Sequence, residues 1–113
     1  MSNRIVSFAD YLTGKVDSYE DEMSRYEISS RKDGKKHGVE RIWHKQDGSY
    51  SECGYYLGKR HGFYRIWQNK ILVSDIEYVD DEENGPLKTW YYSGAPRSEA
   101  VYKNGECVYH KDF

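Results

Sequence analysis

Long apolar runs, cysteine, aliphatic side chains and charge of one sign are all scarce in this chain. Leu, Ile, Val and Phe together number 20 of 113 residues, a fraction at which failure to fold becomes a serious prior. No stretch approaches the roughly 18 consecutive apolar residues of a membrane-crossing helix. Nor does the N-terminus carry the apolar run of about 7–15 residues that marks a secretory leader. The reading is a chain that is neither secreted nor transmembrane. Cys53 and Cys107 are the only cysteines, which suits two free thiols in a reducing, intracellular compartment. Lys and Arg number 17 against 19 Asp and Glu, a net charge of −2. That balance gives no bulk attraction to nucleic acid or to membrane.

Patterns that carry chemistry are missing too. There is no nucleophile elbow, no Gly-rich phosphate loop and no His-x-x-x-His pair. Asp80-Asp81-Glu82-Glu83 holds too many adjacent carboxylates to be a tuned acid–base pair. His37 and His61 are periodic, while His44 and His110 are scattered, and no Cys or carboxylate recurs beside them as a metal set would require. The expectation is a chain with no catalytic, cofactor or metal residues.

What the chain does have is aromatic residues and a repeat. Twelve Tyr, three Trp and three Phe supply large side chains that bury area while keeping a polar tip wet. Gly34-Lys35-Lys36-His37-Gly38-Val39-Glu40-Arg41-Ile42-Trp43 returns as Gly58-Lys59-Arg60-His61-Gly62-Phe63-Tyr64-Arg65-Ile66-Trp67, and a worn copy reads Asn84-Gly85-Pro86-Leu87-Lys88-Thr89-Trp90. The tryptophans are 24 and then 23 residues apart. Such a period belongs to stacked supersecondary units.

Turn signals alternate with short aromatic-rich runs, about two strands to a unit. Strands are expected over 26–32, 39–44, 50–56, 63–67, 71–78, 87–92, 97–102 and 107–110, with Asp80 to Asn84 as an acidic loop. The fold class is therefore all-β: an elongated, twisted antiparallel meander of hairpins over residues 26–113, in three to four units. Residues 1–25 stand outside the repeat as an arm. Ser7 and Asp10 frame a short helix that Gly14 ends, with Phe8, Tyr11 and Leu12 on one face. This arm caps the stack or docks onto a partner. Asp17 to Glu22 reads as a solvated acidic bend.

Each motif residue has a structural expectation. Gly34, Gly38, Gly58, Gly62 and Gly85 serve the turns and the strand starts beside them. Alternation puts Val39, Arg41 and Trp43 on one face, and Phe63, Arg65 and Trp67 repeat this. Trp43, Trp67 and Trp90, with Tyr55, Tyr78 and Tyr102 at the strand ends, are expected to form the core and its stacking. The alternative is an exposed aromatic platform for single-stranded nucleic acid, which the net charge disfavours. Lys35, Lys36, His37, Lys59, Arg60 and His61 make two basic turns side by side. They are a candidate anion or partner contact, or simply a solvated edge.

Gly-x-x-His-Gly-x-x-x-x-Trp, followed by a strand ending in Tyr and a Gly turn, resembles the MORN repeat. The nearest likeness is to the variant found in antitoxin-like bacterial proteins and in large DNA viruses. The likeness spans residues 30 to 110, with two good copies and one degenerate copy that lacks the His and carries Pro86. It implies consecutive β-hairpins used as a scaffold or protein-contact surface, in a particle if the source is viral. It also brings in an antitoxin role against a toxin partner, binding of anionic lipid head groups, and homo-oligomers through sheet edges.

Overall fold

The computed structural model describes residues 6–113; the first five residues of the arm lie outside the described part. Ser7 caps α1 (Phe8–Leu12). Its hydroxyl accepts from the Asp10 amide at 3.2 Å, and the Asp10 carboxylate accepts from the Ser7 amide at 3.0 Å. This is a reciprocal capping box.

The sheet starts earlier than the acidic composition of 17–22 suggests. That segment holds β1 (Ser18–Glu20), paired with β2 (Ser24–Ile28). The Asp21 carboxylate makes the turn by accepting from the Met23 and Ser24 amides, both at 2.8 Å. Lys45 Nζ holds Glu20 at 2.5 Å. The boundary between arm and sheet is thus at Ser18 rather than Tyr26.

The single strand expected over 26–32 is broken at Ser29-Ser30. Gly38 presses on the break: a Cβ there would meet Ser29 Oγ at 2.3 Å, and that hydroxyl accepts from the Val39 amide. Beyond it, β3 (Arg31–Lys32) and β4 (Lys35–Lys36) form a side hairpin. The meander then runs through β5 (Gly38–His44), β6 (Ser49–Tyr56), β7 (Lys59–Gln68), β8 (Ile71–Val79), β9 (Glu82–Trp90), β10 (Pro96–Lys103) and β11 (Glu106–Asp112). Nine strands pair in the order β1-β2-β5-β6-β7-β8-β9-β10-β11, all antiparallel. Asp80 to Asn84 is not a loop. Asp80-Asp81 is a two-residue turn, and Glu82 already belongs to β9.

The radius of gyration is 16.2 Å, against about 13 Å for a compact chain of this length. The extents, 59 × 32 × 16 Å, describe an elongated nine-stranded sheet with the two-stranded β3–β4 hairpin at its side. Turns Asp33-Gly34, Leu57-Gly58, Asp80-Asp81 and Asn104-Gly105 lie along one edge. Both residues of each have positive φ, the form that matches the right-handed twist of hairpin strands.

Register decides which face is dry. Ile28, Glu40, Cys53, Tyr64, Ile76, Leu87 and Ala100 are opposed in succession across seven strands. Five of these, Ile28, Glu40, Cys53, Ile76 and Ala100, are each 7% exposed or less. This row is the core. Trp43, Trp67 and Trp90 lie on the opposite face and are only half-buried. The tryptophan ladder is therefore not the core. The repeat places the tryptophans on the outward residue of each strand, and the narrower Ile, Cys and Ala on the inward residue are what the taller tyrosines of that face can cover. Trp43, Tyr50 and Trp67 still stack in series, with centroids 5.0 and 5.4 Å apart, and Arg25 lies 5.0 Å over the Trp43 ring.

Register slips recur at matching places of the units, around Gly54, Glu77 and Val101. Bulges of this kind bend and twist a sheet. Pro86 falls opposite the second slip, where a missing donor is tolerated. At the first, a Cβ on Gly54 would meet the His61 carbonyl oxygen at 2.3 Å. Gly54→Ala is expected to lower stability by about 1–3 kcal/mol through backbone displacement. Gly62→Ala meets open space at φ 90 and should cost only about 1 kcal/mol. Urea denaturation of the two variants checks this order, and Gly62→Ala as the worse variant would contradict it.

Candidate functional site

The repeated His and its basic neighbours turn out to join one turn to the next. The amides of Gly58, Asp81 and Gly105 donate to the carbonyls of Lys36, Arg60 and Glu83 at 2.8, 2.9 and 2.9 Å. Each donor is the second residue of a turn, and each acceptor lies two residues after the preceding turn. A second set runs beside it. The Leu57 amide donates to His37 Nδ1 at 3.3 Å, and the Asn104 amide donates to Asn84 Oδ1 at 3.4 Å. Asn84 occupies the position of the periodic His, so the worn copy keeps the acceptor. His37 and His61 also flank the Tyr56 ring, at 5.1 and 5.7 Å.

These contacts use up most of the basic side chains. Lys36 Nζ lies 2.7 Å from Glu40 and 5.1 Å over the Tyr55 ring. Arg60 Nε lies 3.2 Å from Asp81, and its guanidinium is 4.5 Å over Tyr78. His61 faces Asp80 at 3.9 Å. The amide of Arg60 holds the Asp81 carboxyl below its ordinary range. Lys35 and Lys59 remain exposed, with the side chain of Lys35 against Gly58. The six residues line one edge as the sequence suggests, but they do not converge on an open anion pocket.

The arm is held by its own sheet. Tyr11 is fully buried. Its hydroxyl donates to Glu40 Oε2 at 2.5 Å, and Lys36 binds the same oxygen. Arg31 donates to the carbonyls of Tyr11 and Val16 at 2.6 and 3.3 Å and to Asp17 at 2.9 Å. Phe8 packs on Tyr19 and Tyr26 at 5.4 and 4.9 Å. Leu12, placed with Phe8 and Tyr11 by helical spacing, points away at 56% exposure. Burial, and then the hydrogen bond to Glu40, holds the Tyr11 hydroxyl well above the usual phenol value of 10.0. Burial does the same for Tyr55, followed by the Glu40 charge. Tyr50 is raised by burial and by its bond to Glu52 at 2.6 Å. Burial also pushes the Cys53 thiol up to about 11, which leaves it protonated and unreactive at neutral pH. Cys107 is exposed on β11.

The outward face carries a pattern that the repeat alone does not announce. Glu27, Arg41, Glu52, Arg65, Asp75, Lys88, Glu99 and Lys111 oppose one another in turn across eight strands. The sign alternates at every step. Arg41 reaches Glu52 at 3.8 Å, and Arg65 reaches Asp75 at 3.4 Å. Arg41, Arg65 and Lys88 are visible as a periodic basic column in the sequence. The acids between them were the missing half. They could be found by asking which residue each hairpin sets opposite each base. Among the described residues, no three His, Cys, Asp or Glu side chains gather as metal ligands, and no helix is long and apolar enough to cross a membrane.

The C-terminal end is the most open part. Every residue of β11 is exposed. Tyr91, Tyr92, Val108, Tyr109 and Phe113 show 49, 74, 54, 47 and 55% of their surface.

Two outcomes follow. The folded chain keeps the protons of Tyr11, Tyr50 and Tyr55 at a pH where the unfolded chain releases them. Their stabilisation is complete below pH 10 and is lost as pH rises beyond the unfolded value of 10.0. Tyrosinate absorbance should therefore rise in step with loss of circular dichroism, and Tyr11→Phe should shallow the alkaline fall. Independent titration before unfolding would contradict this. Separately, Glu52→Lys sets three cations in a row and should cost about 1 kcal/mol at low salt and less at high salt; a salt-independent loss would argue against the ladder.

Compared with known proteins, the chain matches no family model, no curated protein and no solved structure.

Proposed function

We propose that this chain is a non-catalytic docking module, a repeat scaffold that joins a larger assembly through its C-terminal end. The observation that carries the reading is the open sheet. Its outward face is balanced by its own charges, whereas its last strand is exposed along its whole length. Tyr91 and Tyr92 on the β9–β10 connection and Phe113 beyond β11 add exposed aromatics. Aromatic side chains of this kind are the residues that dominate protein interfaces. The likeness of the Gly-x-x-His-Gly units to MORN repeats supports the same reading, a particle component included.

Binding of anionic lipid or phosphate through the basic turns has less support, because Lys36, Arg60 and His61 face carboxylates of the chain itself. The arm has less support as a docking element, since Tyr11 is buried on its own sheet and Phe8 packs against Tyr26, leaving Leu12 as the most exposed residue of the three.

Affinity capture with the full chain from its native source, read by mass spectrometry, tests the proposal. A partner at stoichiometric level should be retained by the wild type. Tyr91→Ala/Tyr92→Ala should reduce its recovery by about tenfold or more, as loss of an aromatic hot spot does. Recovery of the chain alone, or equal recovery by the variant, would sink this reading.

A further inference from the structure

The free edge of β11 has a specific complement. The Phe113 amide donates to the Arg97 carbonyl at 2.9 Å, so alternation turns the amides of His110 and Asp112 outward, away from β10. An edge of this kind is a template for another strand. Its charges are placed by a bulge. Glu106 opposes Lys103, Lys111 opposes Glu99, and the register slips between them. Residues five apart on an unbroken strand point to opposite faces. The slip puts Glu106 and Lys111 on the same outward face.

We infer that β11 pairs with β11 of a second copy of this chain about a two-fold axis, with Lys111 of each copy opposite Glu106 of the other. In that register the alternation of sign carries on across the seam, from Glu99 through Lys111 to Glu106 and Lys103 of the second copy. Val108 and Tyr109, both about half exposed, meet at the axis and are covered. The slip occurs on both strands, so the two bulges face each other and the count of residues matches. A pairing that sets Lys111 against Lys111 puts like charges opposite each other. The Lys and the bulge thus resist indiscriminate pairing while leaving one favourable register. The seam is a single strand pair, smaller than the about 1,200 Å² of standard interfaces, so the dimer is reversible.

The proposal rests on the reading of the C-terminal end as a contact edge, and the two can fail separately. Sedimentation equilibrium of the full chain should show a monomer–dimer equilibrium. Amide exchange at His110 and Asp112 should slow as concentration rises. Lys111→Glu and Glu106→Lys should each weaken self-association by about tenfold or more. An equimolar mixture of these two variants should recover it, because the carboxylate introduced in one copy then meets the ammonium introduced in the other. His110→Pro, which removes an outward donor that β10 does not use, should give a folded monomer.

A wild type that stays monomeric at every soluble concentration would overturn the inference. So would a mixture that stays monomeric while the wild type dimerises. A monomeric wild type that still captures a foreign partner leaves the docking reading standing without the dimer. A dimer that captures nothing leaves the dimer without that reading.

Discussion

Everything in this sheet depends on cross-strand register, because two adjacent residues in each strand carry opposite duties. The pairs Ile28/Glu27, Glu40/Arg41, Cys53/Glu52, Tyr64/Arg65, Ile76/Asp75, Leu87/Lys88 and Ala100/Glu99 stand back to back through the sheet. One member of each pair lies in the core row and the other in the charge ladder. A slip by one residue would expose the first and bury the second on every strand. The ladder is individually weak, since exposed pairs contribute a few tenths of a kcal/mol to about 1 kcal/mol. Its stronger effect is on specificity: a slip by two residues keeps the faces but takes acids and bases out of opposition.

The buried Glu40 shows how the core tolerates a charge. It lies in the dry row at 4% exposure, where an unpaired carboxylate would be very costly. The Tyr11 hydroxyl and the Lys36 ammonium both meet its Oε2. Tyr11 belongs to the arm and Lys36 to the first repeat turn, so a single oxygen ties the helix, the side hairpin and the sheet together. Arg31 adds a bond to the Tyr11 carbonyl and lies 5.3 Å over the Tyr11 ring. The helix is short, and its place comes from this polar clasp and from the Phe8, Tyr19 and Tyr26 rings, not from intrinsic helix stability.

Much of the fold was legible in the sequence, and what was missed has physical causes. The Gly positions and the spacing of 23 and 24 residues mark the turns, and a meander follows from them. The side that is dry does not follow. Period two separates the face of Trp43 from the face of Glu40 without saying which holds the most buried row, and a size argument points to the tryptophan face. In an open sheet, small side chains between tyrosines are easier to cover than a row of indoles. β1 was hidden because Ser18, Tyr19 and Glu20 look like linker and are strand only through pairing with Arg25 to Glu27. The partnership of Tyr11 with Glu40 spans 29 residues and leaves no local signal. The basic turns were visible, but their neutralisation depended on Glu40, four residues after Lys36 and turned inward, and on Asp81, brought up from the next turn.

The turn edge explains why the motif outlasts its own residue types. What recurs is a backbone acceptor two residues after each turn, joined in the first and third copies by a side-chain acceptor three residues after it. The first is a backbone carbonyl, so Lys36, Arg60 and Glu83 serve equally despite opposite charges. The second needs a short side chain with a lone pair directed back along the edge, and His37 and Asn84 both supply one. Such a code constrains geometry and leaves charge free to vary. The edge accordingly runs from Lys35 and Lys36 at one end to Glu82 and Glu83 further along. A chain built this way adds units without changing how they join. At the outer edge of β11, one of the two edge strands of the sheet, the same register rules act on any strand that pairs there.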